Sequence, residues 1–268
     1  MNSIQISIEA NEEQQEILIS QLSDLGADGF EQTDHYLIAY FNENMFKSYD
    51  VNELLKEYSF TINTIEEKNW NEVWESNFQP VVVNAFCAIR AEFHEPINGV
   101  EHEIIITPKM SFGTGHHATT YMMIEQMSHI DFRNKSVFDF GTGTGILAIL
   151  AEKLGASSIT AIDVDEWSIA NAKENLERNQ CSKVSVTLSS QVLKDKFDII
   201  LANINRNVIL SYLEQLSDNL NRDSHLLLSG LLASDGEDII GACSRLGLRL
   251  LKRTEHNNWI SLLMVKAL

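Results

Sequence analysis

The chain has 268 residues, 44% of them hydrophobic and 22% charged, with only 3 prolines and 13 glycines; that is the make-up of one large folded domain or two modest ones, not of a disordered or fibrous chain. Acidic side chains number 38 against 20 basic ones, a formal charge of -18, so the surface repels phosphate backbones and attracts basic partners, and no direct nucleic-acid binding is expected. Cys87, Cys181 and Cys243 are far apart with no CxxC pair, which argues against a disulfide framework or a zinc site. There is neither a basic leader nor an apolar run of about 18–20 residues, so a cytoplasmic, non-membrane protein is expected.

Residues 1–66 hold 13 acidic side chains and two lysines, Lys47 and Lys56. That suits either a well-solvated small domain or a docking surface for a basic substrate. Ile4, Ile6 and Ile8 alternate with polar residues, a strand pattern, and Glu12–Leu25 is helical up to Gly26. A short strand near Phe30, a strand over His35–Phe41, a helix over Val51–Tyr58 and a strand over Phe60–Ile65 follow. The order β-α-β-β-α-β is the split βαβ, ferredoxin-like pattern. Residues 67–98 read as a connector. Trp70, Val73, Trp74 and Phe78 recur at helical spacing, as in a helix packed onto a core, and Pro80 ends that helix. Val81–Phe93 and Glu103–Ile106 are strand-like.

From residue 99 onward helices and strands alternate. Helices are expected over Ala118–His129, Ile146–Leu154, Asp165–Arg178, Val208–Leu220 and Asp235–Leu246. Strands are expected over Ser136–Phe140, Ser158–Ile162, Val184–Leu188, Phe197–Leu201 and His225–Ser229. Leu248–Arg253 and Trp259–Val265 close the chain as two strands around a turn at Glu255–Asn258. The alternation predicts an α/β fold with a mainly parallel, doubly wound sheet, and the closing pair predicts one antiparallel edge strand.

The chemistry-bearing residues cluster where strands end. Gly141-Thr-Gly143-Thr-Gly145 follows an apolar strand and precedes a helix, whose first N–H groups face whatever the turn approaches. A dinucleotide fingerprint would place its third glycine at 146, where the chain has Ile146, whereas S-adenosylmethionine carries no phosphate and a shorter turn suffices. Asp163, at the end of the next strand, can accept both ribose hydroxyls of an adenosine-containing ligand, in NAD as well as in S-adenosylmethionine. Asp165 reads as the N-cap of the following helix. Asn203, in Ala202-Asn-Ile-Asn205, can accept from an amine and aim its lone pair, or can simply turn the chain into a helix. The loop Phe112-Gly-Thr-Gly-His-His-Ala-Thr-Thr120 precedes another helix. Thr119 and Thr120 read as its caps, or as hydroxyls over a ligand, and His116 and His117 lack metal-ligand spacing, so no metal is expected.

Together these segments, with Asp139-Phe-Gly-Thr-Gly-Thr-Gly-Ile-Leu-Ala148, Ile162-Asp-Val-Asp165 and Leu201-Ala-Asn-Ile204, resemble the PrmA family over nearly the whole chain. These are bacterial methyltransferases that act on the large-subunit ribosomal protein L-eleven. The glycine turn marks class I methyltransferases in general; the Phe112–Thr120 loop is the specific part. The resemblance implies a substrate-recognition domain over 1–66, a connector over 67–98 and a methyltransferase domain over 99–268. It implies S-adenosylmethionine as cofactor, contacted by Thr120, Gly141, Asp163 and Asn203, with Asn203 nearest the reacting centre and the catalytic residue. It also implies lysine and N-terminal amines of that basic protein as acceptors, and a monomeric enzyme. Ala118 stands where the family usually has proline, Thr142 where it has cysteine and Asn205 where it has leucine. A methyltransferase for another protein or a small molecule, an NAD-linked oxidoreductase and a non-catalytic binding module are the alternatives.

Overall fold

The computed structural model describes residues 3–44, 46–65, 78–108, 116–192 and 195–267. The chain divides into two compact units, Met1–Val73 and Trp74–Leu268. In the first, β1 (Ser3–Glu9) is followed by α1 (Glu12–Asp24), β2 (Ala27–Gln32), β3 (Tyr36–Asn42), α2 (Ser48–Leu54) and β4 (Phe60–Ile65). The four strands form an antiparallel sheet in the order β2-β3-β1-β4. Ile4, Ile6 and Ile8 all point to one face and are buried there with Leu18 and Leu22 of α1 and Leu37, Ala39 and Phe41 of β3. Asn11 and Gln14 close a reciprocal cap over α1, each bond 3.0 Å long. The second helix lies three residues earlier than its expected span. Val51 and Leu55, one turn apart, are its core contacts, and Tyr58 falls beyond its end. The expected aromatic helix through Trp70, Val73 and Trp74 lies outside the described residues.

The second unit opens with a small sheet of β5 (Val81–Val83), β6 (Cys87–Ala91) and β7 (His102–Ile106), in which β6 pairs antiparallel to β5 and parallel to β7. The single strand expected over Val81–Phe93 is thus two strands, because Asn84 takes a left-handed φ of 52° and reverses the chain. These two strands fall within the 67–98 stretch. Arg90 is buried in β6, and the Glu103 carboxylate answers its charge at 2.9 Å; that bond holds the Glu103 carboxyl below its usual range.

The remaining elements are α3 (Ala118–Met127), β8 (Ser136–Phe140), α4 (Ile146–Lys153), β9 (Ser158–Asp163), α5 (Glu166–Arg178), β10 (Val184–Leu188), β11 (Phe197–Asn203), α6 (Arg206–Asp218), β12 (Leu220–Leu232), α7 (Gly236–Arg245), β13 (Leu248–His256) and β14 (Trp259–Lys266). Seven strands form one sheet in the order β10-β9-β8-β11-β12-β14-β13. Its central strands β8 and β11 are largely apolar and buried because both faces are covered there, whereas the outer strands β10 and β13 alternate with exposed polar residues. Val137, Ile199 and Leu201 join the core under α3, α4 and α5, while Phe138, Ile200 and Ala202 join the core under α6 and α7. The reversed strand is β14, and it is inserted one place in from the edge rather than at it; β13 is the edge strand. Asn257 and Asn258, at φ 50° and 63°, make the tight turn between them. β12 runs well beyond the expected His225–Ser229, since its polar start pairs with β11 at Phe197↔Leu220. Among the described residues no helix is long and apolar enough to cross a membrane.

Candidate active site

The carboxyl ends of β8, β9 and β11 meet at the centre of the large sheet, where the connections leave to opposite faces and a crevice is left open. A cavity of about 460 Å³ occupies this place, walled by Gly141, Gly143, Asp163, Asn203 and Gly230, with His117 and Trp259 also in its lining. A smaller cavity shares Gly141, Gly143 and Asn203 and reaches Thr120. The structure therefore brings together the four residues singled out from sequence, although they are spread over 84 positions from Thr120 to Asn203.

Gly141, Gly143 and Gly145 all have positive φ, 79°, 54° and 82°, a run that side chains would strain. The turn is tied down from the next strand. The N–H groups of Gly141 and Thr142 donate to the carbonyl of Ile162 at 3.0 and 2.9 Å, and Gly143 N–H donates to Asp163 Oδ2 at 2.8 Å. Asp163 Oδ1 accepts from the Asp165 N–H at 3.1 Å. Each carboxylate oxygen has a second lone pair left to offer a ligand. Asp165 caps α5 through Ser168, as its position suggested.

Beneath the turn lies Asp139, fully buried at the end of an apolar strand. Burial pushes its carboxyl up to about 7; the Thr142 hydroxyl, donating over 2.6 Å, opposes the rise, and the charge of Asp163 adds to it. The threonine that replaces the usual cysteine thus has a definite partner.

Asn203 and Asn205 divide the two roles that sequence left open. Asn205 caps α6, accepting from the Val208 N–H at 3.1 Å. Asn203 remains in the crevice wall. Its Nδ2 donates to the Thr120 hydroxyl at 3.3 Å, and its Oδ1 is buried without a hydrogen-bond partner. A buried carboxamide oxygen left unpaired costs about 1–3 kcal/mol and marks a place where a donor belongs.

The cap of α3 is neither expected threonine. It is His117, whose Nδ1 accepts from the Thr119 N–H and pairs with the Thr119 hydroxyl at 2.7 Å. A ring nitrogen so engaged is no general base. The two histidines diverge, His116 edge-on to Phe78 at 4.8 Å and His117 edge-on to Trp259 at 4.7 Å. Among the described residues no group of three His, Cys, Asp or Glu is placed to hold a metal. Phe112–Gly115, the start of this loop, lie outside the described residues.

Sequence reasoning missed several parts of the site. Gly230 in β12 has φ 82°, and a Cβ there would lie 2.2 Å from the Ile204 carbonyl oxygen; a glycine inside a strand pattern was the signal available. Asp139, an acid in an apolar run, was another. Trp259 carried no sequence signal for a site. Asn175, wholly buried on α5, was also unforeseen. Its Nδ2 donates to the Thr144 carbonyl of the glycine turn and to Asn171 Oδ1, and its Oδ1 accepts from the Thr107 N–H after β7, all at 2.8 Å. One turn on, Asn179 grips both backbone groups of Ile105.

Comparison with known proteins points to one family. The family model described as ribosomal protein L11 methyltransferase (PrmA) matches residues 2–267. A protein of Phocaeicola vulgatus named ribosomal protein L11 methyltransferase is 36% identical over 260 residues, covering 93% of this chain and 92% of that protein. One of the same name from Porphyromonas gingivalis is 38% identical over 258 residues, covering 92% and 89%. Among solved structures, a ribosomal protein L11 methylase of Lactobacillus delbrueckii subsp. bulgaricus superposes with a TM-score of 0.65 at 28% identity, over 71% of this chain and 99% of that one.

Proposed function

The chain belongs to the ribosomal protein L11 methyltransferase (PrmA) family, and on that premise we propose that it transfers methyl groups from S-adenosylmethionine to lysine and N-terminal amines of ribosomal protein L11. The observation that carries this reading is the unpaired, buried Oδ1 of Asn203 in the same cavity wall as the glycine turn and Asp163.

The residues fit that donor. Gly141 and Gly143 present bare main chain to the cavity, Asp163 offers a carboxylate to a ribose diol, and the walls are otherwise largely apolar, as an adenosyl group requires. S-adenosylmethionine supplies an electrophilic methyl group on a sulfonium. A lysine at pH 7 is only about 0.04% neutral, a deficit of about 4.6 kcal/mol, and an ammonium has no lone pair to attack with. His117 is engaged as a helix cap, and no other histidine lines the cavity among the described residues. Proton loss is therefore left to desolvation in an apolar crevice and to the positive charge of the donor, both of which favour the neutral amine. Asn203 Oδ1 then accepts from the amine N–H and directs its lone pair for in-line attack, while Thr120 fixes the other end of the carboxamide. Thr120, Gly141, Asp163 and Asn203 are the cofactor-binding residues in this reading, and Asn203 is the catalytic one.

Residues 1–66, with 13 acidic side chains, recognise the basic substrate, residues 67–98 connect, and residues 99–268 methylate. The enzyme acts as a cytoplasmic monomer without binding nucleic acid itself. Incubation of the full chain with a ribosomal protein extract containing unmodified L11 and unlabelled S-adenosylmethionine, read by mass spectrometry, tests the assignment. The expected result is +14 Da steps on lysine and N-terminal amines of L11; an unmodified L11 with such steps on another protein would move the substrate elsewhere.

A further inference from the structure

Ile204 is held between two glycines that line the cavity. On one side β12 bulges between Leu228 and Leu231, and there Gly230 comes so close that a Cβ would lie 2.2 Å from the Ile204 carbonyl oxygen, 2.7 Å from its carbonyl carbon and 2.9 Å from its nitrogen. All three are backbone atoms with no room to yield. On the other side a Cβ on Gly141 would lie 2.4 Å from Ile204 Cγ2. The Ile204 N–H also donates to the Ser229 carbonyl at 3.2 Å. So the main chain of this residue is seated on Gly230, and its γ-methyl fills the space left by the first glycine of the turn.

We propose that Ile204 is a positioning residue that sets the register between the glycine turn and the Asn203 carboxamide. A β-branched side chain has few χ1 states, so the methyl packed against Gly141 fixes the backbone that carries it. That backbone is already clamped by Gly230, and Asn203 is the next residue along. The main chain of Ile204 cannot tilt without driving either its own N and carbonyl into Gly230 or its γ-methyl into Gly141. Ile204 also lines the cavity, and in this role it acts through Asn203. The identities of donor and acceptor rest on the function proposed above.

The test compares Ile204→Ala, which removes the γ-methyl, with Ile204→Val, which keeps it, in the full chain. Affinities for S-adenosylhomocysteine and for sinefungin, the donor analogue with an amine in place of the transferable methyl, are measured by calorimetry. In Ile204→Ala the homocysteine form should bind within about threefold of wild type, while the preference for sinefungin falls about fivefold or more, because the amine no longer meets an aligned Oδ1. In Ile204→Val both should stay within about twofold. Single-turnover methylation of L11 should fall about tenfold or more in the alanine variant with little change in donor KM. A sinefungin preference unchanged in Ile204→Ala, or one lost equally in Ile204→Val, overturns the proposal. Wild-type protein that leaves L11 unmodified would instead overturn the substrate assignment, and the ratio of affinities would still decide the role of Ile204.

Discussion

Asp139 makes the fold's stability depend on pH in a window where few side chains titrate. Its carboxyl is raised to about 7 in the folded protein, by burial first, against about 3.9 in the unfolded chain. The folded state therefore holds this proton more tightly. Its stabilising effect is complete below about pH 3.9 and is lost as pH rises through about 7. At 1.36 kcal/mol per pH unit, the loss relative to low pH is about 1–2 kcal/mol at pH 5 and about 4 kcal/mol at pH 8. Asp139→Asn abolishes the titration while leaving an oxygen to accept from the Thr142 hydroxyl. Whatever the new amide group costs is the same at every pH, so the change between pH 5 and pH 8 is the quantity that counts. Urea unfolding of both proteins at the two pH values should show the variant gaining about 2–3 kcal/mol on wild type between them. An unfolding difference that is the same at pH 5 and pH 8 would mean that Asp139 does not titrate in this range, and would refute the role given to its burial.

Asn203→Ala should lower methyl transfer about 100-fold while changing donor affinity only a few-fold, by comparison of single-turnover rates with calorimetry; unchanged turnover would remove the carboxamide from the mechanism. Asp163→Ala removes both the proposed ribose acceptor and the bond to Gly143, so donor affinity should fall about 10–100-fold, measured by direct titration. Asn175→Ala leaves the Thr107 N–H and the Thr144 carbonyl without their 2.8 Å partner, and urea unfolding should report a loss of about 2–4 kcal/mol. If residues 1–66 dock a basic protein through charge, KM for L11 should rise severalfold when ionic strength goes from about 50 to 300 mM, and a flat KM would place recognition elsewhere.

The sequence by itself determined the local pieces of this protein. Alternation at Ile4, Ile6 and Ile8, the apolar run before Gly141 and the helical spacing of the intervening segments are periodicities of the chain, and most of the described elements lie within a few residues of their expected places. Gly141, Asp163 and Asn203 could be singled out because a tight turn, an acid and a carboxamide at strand ends carry their chemistry in their residue types. What only the tertiary structure decided depends on meetings between distant segments. The hairpin at Asn84 and the insertion of β14 ahead of the edge follow from how strands pair, which periodicity does not encode. The choice of His117 over the threonines as cap, the burial that raises Asp139, and the seating of Ile204 between Gly141 and Gly230 all arise from contacts across the fold. Residue type sets what a side chain can do; close packing of remote strands sets which of those things it does.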